Sequence, residues 1–320
     1  MSAGRQNAGT PALPQGKTEP CTEIALPAGT RREKLFFDAG YLLLQGAGRE
    51  KSVLSWADGA YFPHQDGNKT GTFRSYTAFL GGEAVCVKNL TIENTAGSGT
   101  TAGQAVAVYA DARLVYMENV CLRSRQDTLF CAPLPARERE PGGFRGPREH
   151  APRLPSVQYY RNCRIEGDVD FIFGGADAVF EHCELRSLDK GERCNGYAAA
   201  PSGEASGLGM LFLDCAFTSD GAAEGSAYLA RPWRPTGRAA FVRCRLGAHL
   251  APALFAPWGE HADEPHAGFA VFGCTGAGAA HLEAMAPFAK RLTPAEAAAL
   301  EARGRAAAAL AAAPWQEKSL

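Results

Sequence analysis

No run of this 320-residue chain approaches the ~18 consecutive apolar residues of a membrane helix, so no membrane segment is expected. An excess of one charge is missing too, since 33 basic residues stand against 34 acidic ones. That balance supplies neither a basic field for nucleic acid nor an acidic tail. Ten cysteines are present, but none is spaced as CxxC, which argues against a structural zinc site. They sit inside apolar alternating runs rather than loops, and are read as buried, reduced thiols acting as small hydrophobes in a reducing compartment. The segment 1–20 lacks the apolar core of a signal peptide and is expected to be poorly ordered. As it stands the chain is expected to be cytoplasmic, or secreted if the true N-terminus is missing. What the chain does have is turn formers, 36 Gly and 20 Pro, punctuating strand-like alternation from about residue 35 to 275.

A repeat runs through that alternation. Tyr160-Arg161-Asn162-Cys163-Arg164-Ile165 matches Phe180-Glu181-His182-Cys183-Glu184-Leu185, and the frame recurs around Cys215 and Cys244 and, more weakly, Cys274. Upstream, Leu90 and Val120 occupy the cysteine slot. The slots 90, 120, 163, 183, 215, 244 and 274 are mostly spaced by about 30 residues. A period of that length built from short strands is a coil repeat, in which each unit buries its inner face only by stacking on the next. The expected fold class is therefore all-β, a right-handed parallel β-helix, with Cys163, Cys183, Cys215 and Cys244 stacked, buried and unbridged. A β-sandwich would show turns every 8–12 residues without this register. The longest interval holds an insertion, 132–155, with six prolines and five arginines. Long loops on rigid scaffolds often line sites, and a solvated loop without a role is the plain alternative. Thr293-Pro294-Ala295-Glu296 reads as an N-cap with proline in the first turn, opening an Ala-rich helix over 293–313 that packs along the coil or caps its end. The domain is expected to span 21–320.

Three polar clusters interrupt the apolar pattern: Gln126-Asp127-Thr128-Leu129, Asp170-Phe171-Ile172-Phe173-Gly174 and Leu229-Ala230-Arg231-Pro232-Trp233. Asp170 stands in what should be a buried strand, where a carboxylate is costly unless paired. Two carboxylates and a guanidinium meeting in a groove make an acid, base and nucleophile set. Each has an ordinary reading when taken singly: Asp127 as a turn former, Arg231 as a surface charge with a packed stem, Gln104 as a strand-edge amide.

Together the clusters resemble the QDTL, DFIFG and LGRPW motifs of the pectin methylesterases, carbohydrate esterase family eight. Gln104-Ala105-Val106-Ala107-Val108 resembles a fourth, QAVAL, and all four come in family order. The similarity covers roughly residues 22–290 and extends to Gly71-Thr72-Phe73-Arg74-Ser75, to Asn89–Gly97 and to Gly167-Asp168-Val169-Asp170. The loop around Pro141-Gly142-Gly143-Phe144 is similar to an insertion of a bacterial branch. Three departures stand out: Arg31 where the GxYxE motif has Tyr, Ala230 where LGRPW has Gly, and no counterpart in 1–20 of the usual leading strand and helix.

The resemblance implies hydrolysis of galacturonate C6 methyl esters in pectin or its oligomers, without cofactor or metal, by a monomer that binds neither nucleic acid nor membrane. Asp170 would be the nucleophile held by Arg231, Asp127 the acid and then base, and Gln104 and Gln126 the oxyanion donors. Trp233 and Phe173 would stack on sugar, with Thr72, Tyr109, Phe130 and Val169 as further substrate contacts; core packing is the plain reading of Phe130 and Val169. Phe173 is expected on the Asp170 side of its strand, while Val169 or Phe171 faces inward. His182, His249 and His261 are too isolated to form a metal site. Three other readings stay open: a β-helix enzyme that cuts the sugar backbone, a catalytically impaired pectin-binding paralogue, and a thioesterase. Methanol released with chain length intact separates the esterase from backbone cleavage.

Overall fold

A computed structural model describes residues 20–259 and 268–316. The segment 1–19, His261 and the last four residues lie outside it, and with them the expectation about the N-terminal segment. Among the described residues the chain winds through three parallel sheets of ten, eight and seven strands. The first sheet stacks Cys21–Leu26, Tyr41–Gly46, Ala84–Lys88, Leu114–Glu118, Val157–Arg161, Asp177–Glu181, Met210–Leu213, Arg238–Val242, Gly268–Phe272 and Ala289–Arg291 in sequence order. Each coil lays one strand on the equivalent strand of the coil before it, the right-handed parallel β-helix that the repeat predicts.

Register shows why the repeat has its form. Val87, Met117, Tyr160, Phe180, Phe212, Phe241 and Val271 pair in one line down the first sheet. Their aromatic members stack face to face inside the coil, with centroids 4.7, 4.7 and 4.8 Å apart and planes within 12°. That spacing is the separation of hydrogen-bonded strands, so neighbouring rings meet at van der Waals contact without strain. Two residues later every coil turns. The polar slot of the repeat holds Asn89, Asn119, Asn162, His182, Asp214 and Arg243 with φ between 52° and 56°, and Gly273 at 62°. Left-handed backbone favours Asn, Asp and Gly. Arg243 carries a strain of about 1–2 kcal/mol there. Its bonds to both Asp214 oxygens (2.8 and 2.9 Å) and to Glu301 (2.6 Å) oppose that cost.

The cysteine slot follows this corner. Cys163, Cys183, Cys215, Cys244 and Cys274 each donate an S–H to a backbone carbonyl one coil earlier, at 3.3–3.5 Å. None is in a disulfide. A thiol fits because it is small, apolar and still able to satisfy that carbonyl.

The helix Pro294–Ala312 is closed at its start by a capping box between Thr293 and Glu296. It lies along the outer face of the first sheet, where Ala297 and Ala311 join Leu211, Val179 and Val242 in one apolar cluster. It therefore packs along the coil. Its alanines permit close approach, and a Cβ on Gly304 would come within 2.6 Å of Leu211. Arg31 lies in the exposed strand Gly29–Arg32 and pairs with Glu33 at 2.7 Å. The insertion leaves after Leu129–Cys131 of the third sheet and returns at Val157–Arg161 of the first.

Phe212 has no exposed surface and sits between two stacked rings. Phe212→Ala is expected to lower unfolding free energy by about 3–5 kcal/mol in urea titrations; a loss under ~1 kcal/mol would mean the ladder is ornamental.

Candidate active site

The outer face of the third sheet carries a second aromatic ladder. Phe36, Phe79, Tyr109, Phe130 and Phe173 are in register, with centroids 4.8, 4.8, 4.7 and 4.8 Å apart. The next partner is Ala200, so the ladder stops there, and Trp233 packs against Phe173 at 5.7 Å. Phe73 and Phe144 lie over the rings, Phe73 at 4.9 Å from Phe130 and Phe144 at 5.8 Å from Phe73.

The polar clusters enter this face from successive coils. The carbonyl of Gln126 accepts from Ala105 N–H at 3.0 Å, and Asp127 N–H donates to the Val169 carbonyl at 3.0 Å. Gln104, the pair Gln126 and Asp127, and the Val169-Asp170 step are thereby stacked one above another. Among the described residues the side-chain amides of Gln104 and Gln126 make no hydrogen bond, which leaves their N–H groups available. Arg231 follows the strand Ala227–Ala230, beyond an intervening strand, and reaches back across it.

Asp127 and Asp170 both have left-handed backbone, at φ 65° and 49°. For Asp170 the cause is a bulge: Val169 pairs with Tyr197 and Ile172 with Ala199, three steps against two. The extra residue turns Asp170 outward while Phe171 and Ile172 both enter the core. Phe173 shares the outer face with Asp170, as expected, but not by alternation. A spacing of three would place them on opposite faces, and the bulge restores them to one. Val169 remains on the outer side, 8% exposed.

Arg231 grips Asp170 with two bonds, Nε to Oδ1 at 2.9 Å and Nη2 to Oδ2 at 2.6 Å. This fork fixes the carboxylate plane and balances its charge. Asp127 has no such partner. Burial first, and then the charge of Asp170, push its carboxyl well above the usual range, while Arg231 opposes them. The two carboxyl groups are thus made unlike, one paired with a cation and one whose carboxyl is pushed upward by burial and by its neighbour's charge.

Four of the expected substrate contacts are placed differently from two others. Thr72, in the short helix Thr72–Arg74, and Trp233 are partly accessible. Phe173 is 3% exposed. Tyr109 and Phe130 require correction, since both are fully buried and form the floor under Phe73 rather than a surface for sugar. Sequence reasoning also missed two rings. The guanidinium of Arg231 lies 4.0 Å from the Tyr197 centroid and 4.2 Å from that of Trp258. Neither ring belongs to a recognisable cluster. Trp258 comes from a segment outside the repeat, so no spacing signal marks it. His182 is a coil corner and His249 is buried at 4% exposure.

Fold and site together define a parallel β-helix that presents two unlike carboxyl groups and a guanidinium on one outer face. A family model described as Pectinesterase matches residues 12–134 and 151–297, and the chain belongs to that family of carboxylic ester hydrolases. The unmatched interval falls within the insertion. Pectinesterase 31 of Arabidopsis thaliana is 30% identical over 295 residues, covering 89% of this chain and 83% of that protein. A probable pectinesterase/pectinesterase inhibitor, number 64 of the same plant, is 32% identical over 69% of this chain, which spans only 35% of that longer protein. Among solved structures, pectin methylesterase PemA of Erwinia chrysanthemi superposes with TM-score 0.68 at 25% identity, covering 89% and 87% of the two chains. A pectin methylesterase in complex with a hexasaccharide gives 0.66 at 25%, with the same coverage. The carrot enzyme, at 23% identity, shares the fold with TM-score 0.73 over 95% and 88%.

A carboxyl whose folded pKa is raised binds more protons folded than unfolded once pH exceeds the unfolded value of about 4. Stability then falls as pH rises through the window between the two values. Asp127→Asn is therefore expected to be more stable than the wild type at pH 7, with the difference vanishing below about pH 4. Chemical unfolding at several pH values checks this; a variant less stable at pH 7 would mean that Asp127 is ionised.

Proposed function

We propose that the chain hydrolyses galacturonate C6 methyl esters in pectin or its oligomers through an acyl-enzyme on Asp170. The observation that carries the reading is the pair of unlike carboxyls, Asp170 in a bidentate bond with Arg231 and Asp127 buried beside it with its pKa raised by burial and by the Asp170 charge. Family membership and the hexasaccharide bound by a structural relative support a methyl-esterified oligogalacturonide as ligand.

The chemistry balances with these groups alone. An Asp170 oxygen attacks the ester carbonyl carbon, and the carbonyl π electrons move onto oxygen. The Gln104 and Gln126 amides donate to that oxyanion. As it collapses, the C–O bond to the methoxy group breaks and Asp127 passes its proton to the leaving oxygen, giving methanol and a mixed anhydride. Asp127, now a carboxylate, takes a proton from water, and the hydroxide attacks the anhydride. The product leaves as the carboxylic acid and gives its proton to solvent to become galacturonate, Asp170 is restored as a carboxylate, and Asp127 is again protonated. Trp233 supplies an apolar ring face beside these polar groups, and Thr72 a nearby hydroxyl. The enzyme acts as a monomer in this reading. Among the described residues the exposed large hydrophobics are Phe36, Trp56, Tyr61 and Leu154.

Purified protein is expected to release methanol from methylated pectin without new reducing ends. The rate should survive exhaustive chelation, because nucleophile, acid, base and oxyanion donors are all side chains. Asp170→Asn and Asp127→Asn should each lower kcat by at least ~10². New reducing ends, or activity abolished by chelator and restored by a divalent ion, would sink the reading.

A further inference from the structure

Arg231 is not held by Asp170 alone. Its guanidinium lies between the rings of Tyr197 and Trp258, at 4.0 and 4.2 Å from their centroids. Tyr197 is fixed by its strand, Gly196–Pro201, and stacks on Tyr228 at 5.5 Å. Trp258 belongs to no strand, and Pro257 and Gly259 on either side of it are exposed. Backbone pairing therefore does not fix its ring. What faces that ring is a second cation: the guanidinium of Arg139 lies 5.8 Å from its centroid. The same Arg139 donates from Nη2 to the Trp233 carbonyl at 3.1 Å. One segment thus runs Tyr197, Arg231, Trp258, Arg139 as alternating ring and cation, an arrangement in which each planar cation meets a negative π face.

Arg139 comes from the insertion, in the interval that the family model leaves unmatched. The insertion is stitched to the Arg231 segment at a second point. Arg234 donates to the Arg137 carbonyl at 2.9 Å and covers the Trp233 ring at 4.8 Å. Phe144 adds an edge contact with Trp233 at 6.4 Å. The far end is anchored away from the site, where Arg148 bonds Asp111 at 2.6 Å and Asp38 as well. The loop is held at both ends, and Arg139 is the part that reaches the reacting groups' neighbours.

We propose that Arg139 is a positioning residue for ester hydrolysis: it holds Trp258 against Arg231, and Arg231 in turn holds the Asp170 carboxylate in its attacking orientation. The proposal rests on the esterase reading. Arg139 touches the Trp258 ring and the Trp233 backbone rather than the reacting atoms, so its loss acts chiefly on how often the nucleophile is aligned.

A double-mutant cycle on a methylated oligogalacturonide tests this. Arg139→Ala should lower kcat by about 2- to 30-fold, the range of a cation–π contact, with KM nearly unchanged. Arg139→Lys keeps a cation and should recover most of the loss. In a Trp258→Leu background, Arg139→Ala should cost nothing further, because its effect passes through that ring. Unchanged kcat in Arg139→Ala, additive losses in the double variant, or a loss that follows a fallen Tm and is not recovered by lysine would each overturn the proposal. Wild-type protein that releases no methanol overturns the esterase reading and this inference with it. An active wild type with additive losses overturns this inference alone.

Discussion

Every coil must lie on the next at the spacing of hydrogen-bonded strands, and that one distance governs the molecule. It forces equivalent residues into lines, so whatever occupies a slot meets its own kind 4.7–4.8 Å away. Flat rings and small thiols tolerate this repetition; charges of one sign do not. The second sheet handles the problem by alternation, with Arg123 between Glu93 and Glu166 at 3.3 and 3.0 Å. The corner slots handle it by complementary groups: Asn119 donates to Asn89 at 2.7 Å, and Arg243 pairs with Asp214. Such neighbours add little individually at an exposed surface. Their effect is to keep register, without which neither aromatic ladder forms.

The reactive groups occur where this regularity is relaxed. Asp170 occupies the extra residue of a bulge, and both Asp170 and Asp127 take a left-handed backbone that costs Asp less than most residues but more than glycine. A regular strand would bury Asp170 in the core or pair it with an apolar neighbour. The bulge instead aims it across one strand toward Arg231, while Phe171 and Ile172 keep the interior filled. Stability given up at two residues is supplied by the coils above and below, which hold the strand on both edges.

The repeat and the polar clusters could be read from sequence because both are local patterns. The cysteine frame encodes one coil, and its neighbours must match it. The left-handed corner was hidden for the opposite reason: Asn, His, Asp and Arg share only polarity, and backbone conformation is not written in polarity. The bulge at Asp170 was hidden too, because one extra residue in a strand leaves the apolar pattern unchanged to the eye. Tyr109 and Phe130 are ambiguous in sequence because aromatic residues beside a site suit either sugar contact or core packing. What decides between the roles is Phe73 and the insertion above them, and that covering depends on contacts between segments far apart in the chain. Trp258 and Tyr197 escaped notice because their roles follow from where Arg231 lands.

The choice of cation at position 231 follows from these surroundings. The site needs a charge that neutralises Asp170 without taking its proton chemistry, fixes both of its oxygens, and remains charged against two rings. Lysine offers one strongly hydrated point charge on a flexible stem and loses that charge readily when buried. Guanidinium is planar, weakly hydrated and always protonated, so the same plane that stacks on Tyr197 and Trp258 presents Nε and Nη2 edge-on to the carboxylate. Ring faces and fork are therefore one geometric requirement. A side chain that met only the charge would leave the Asp170 plane free to rotate, and the neighbouring Asp127 would lose the fixed negative charge that helps to raise its pKa.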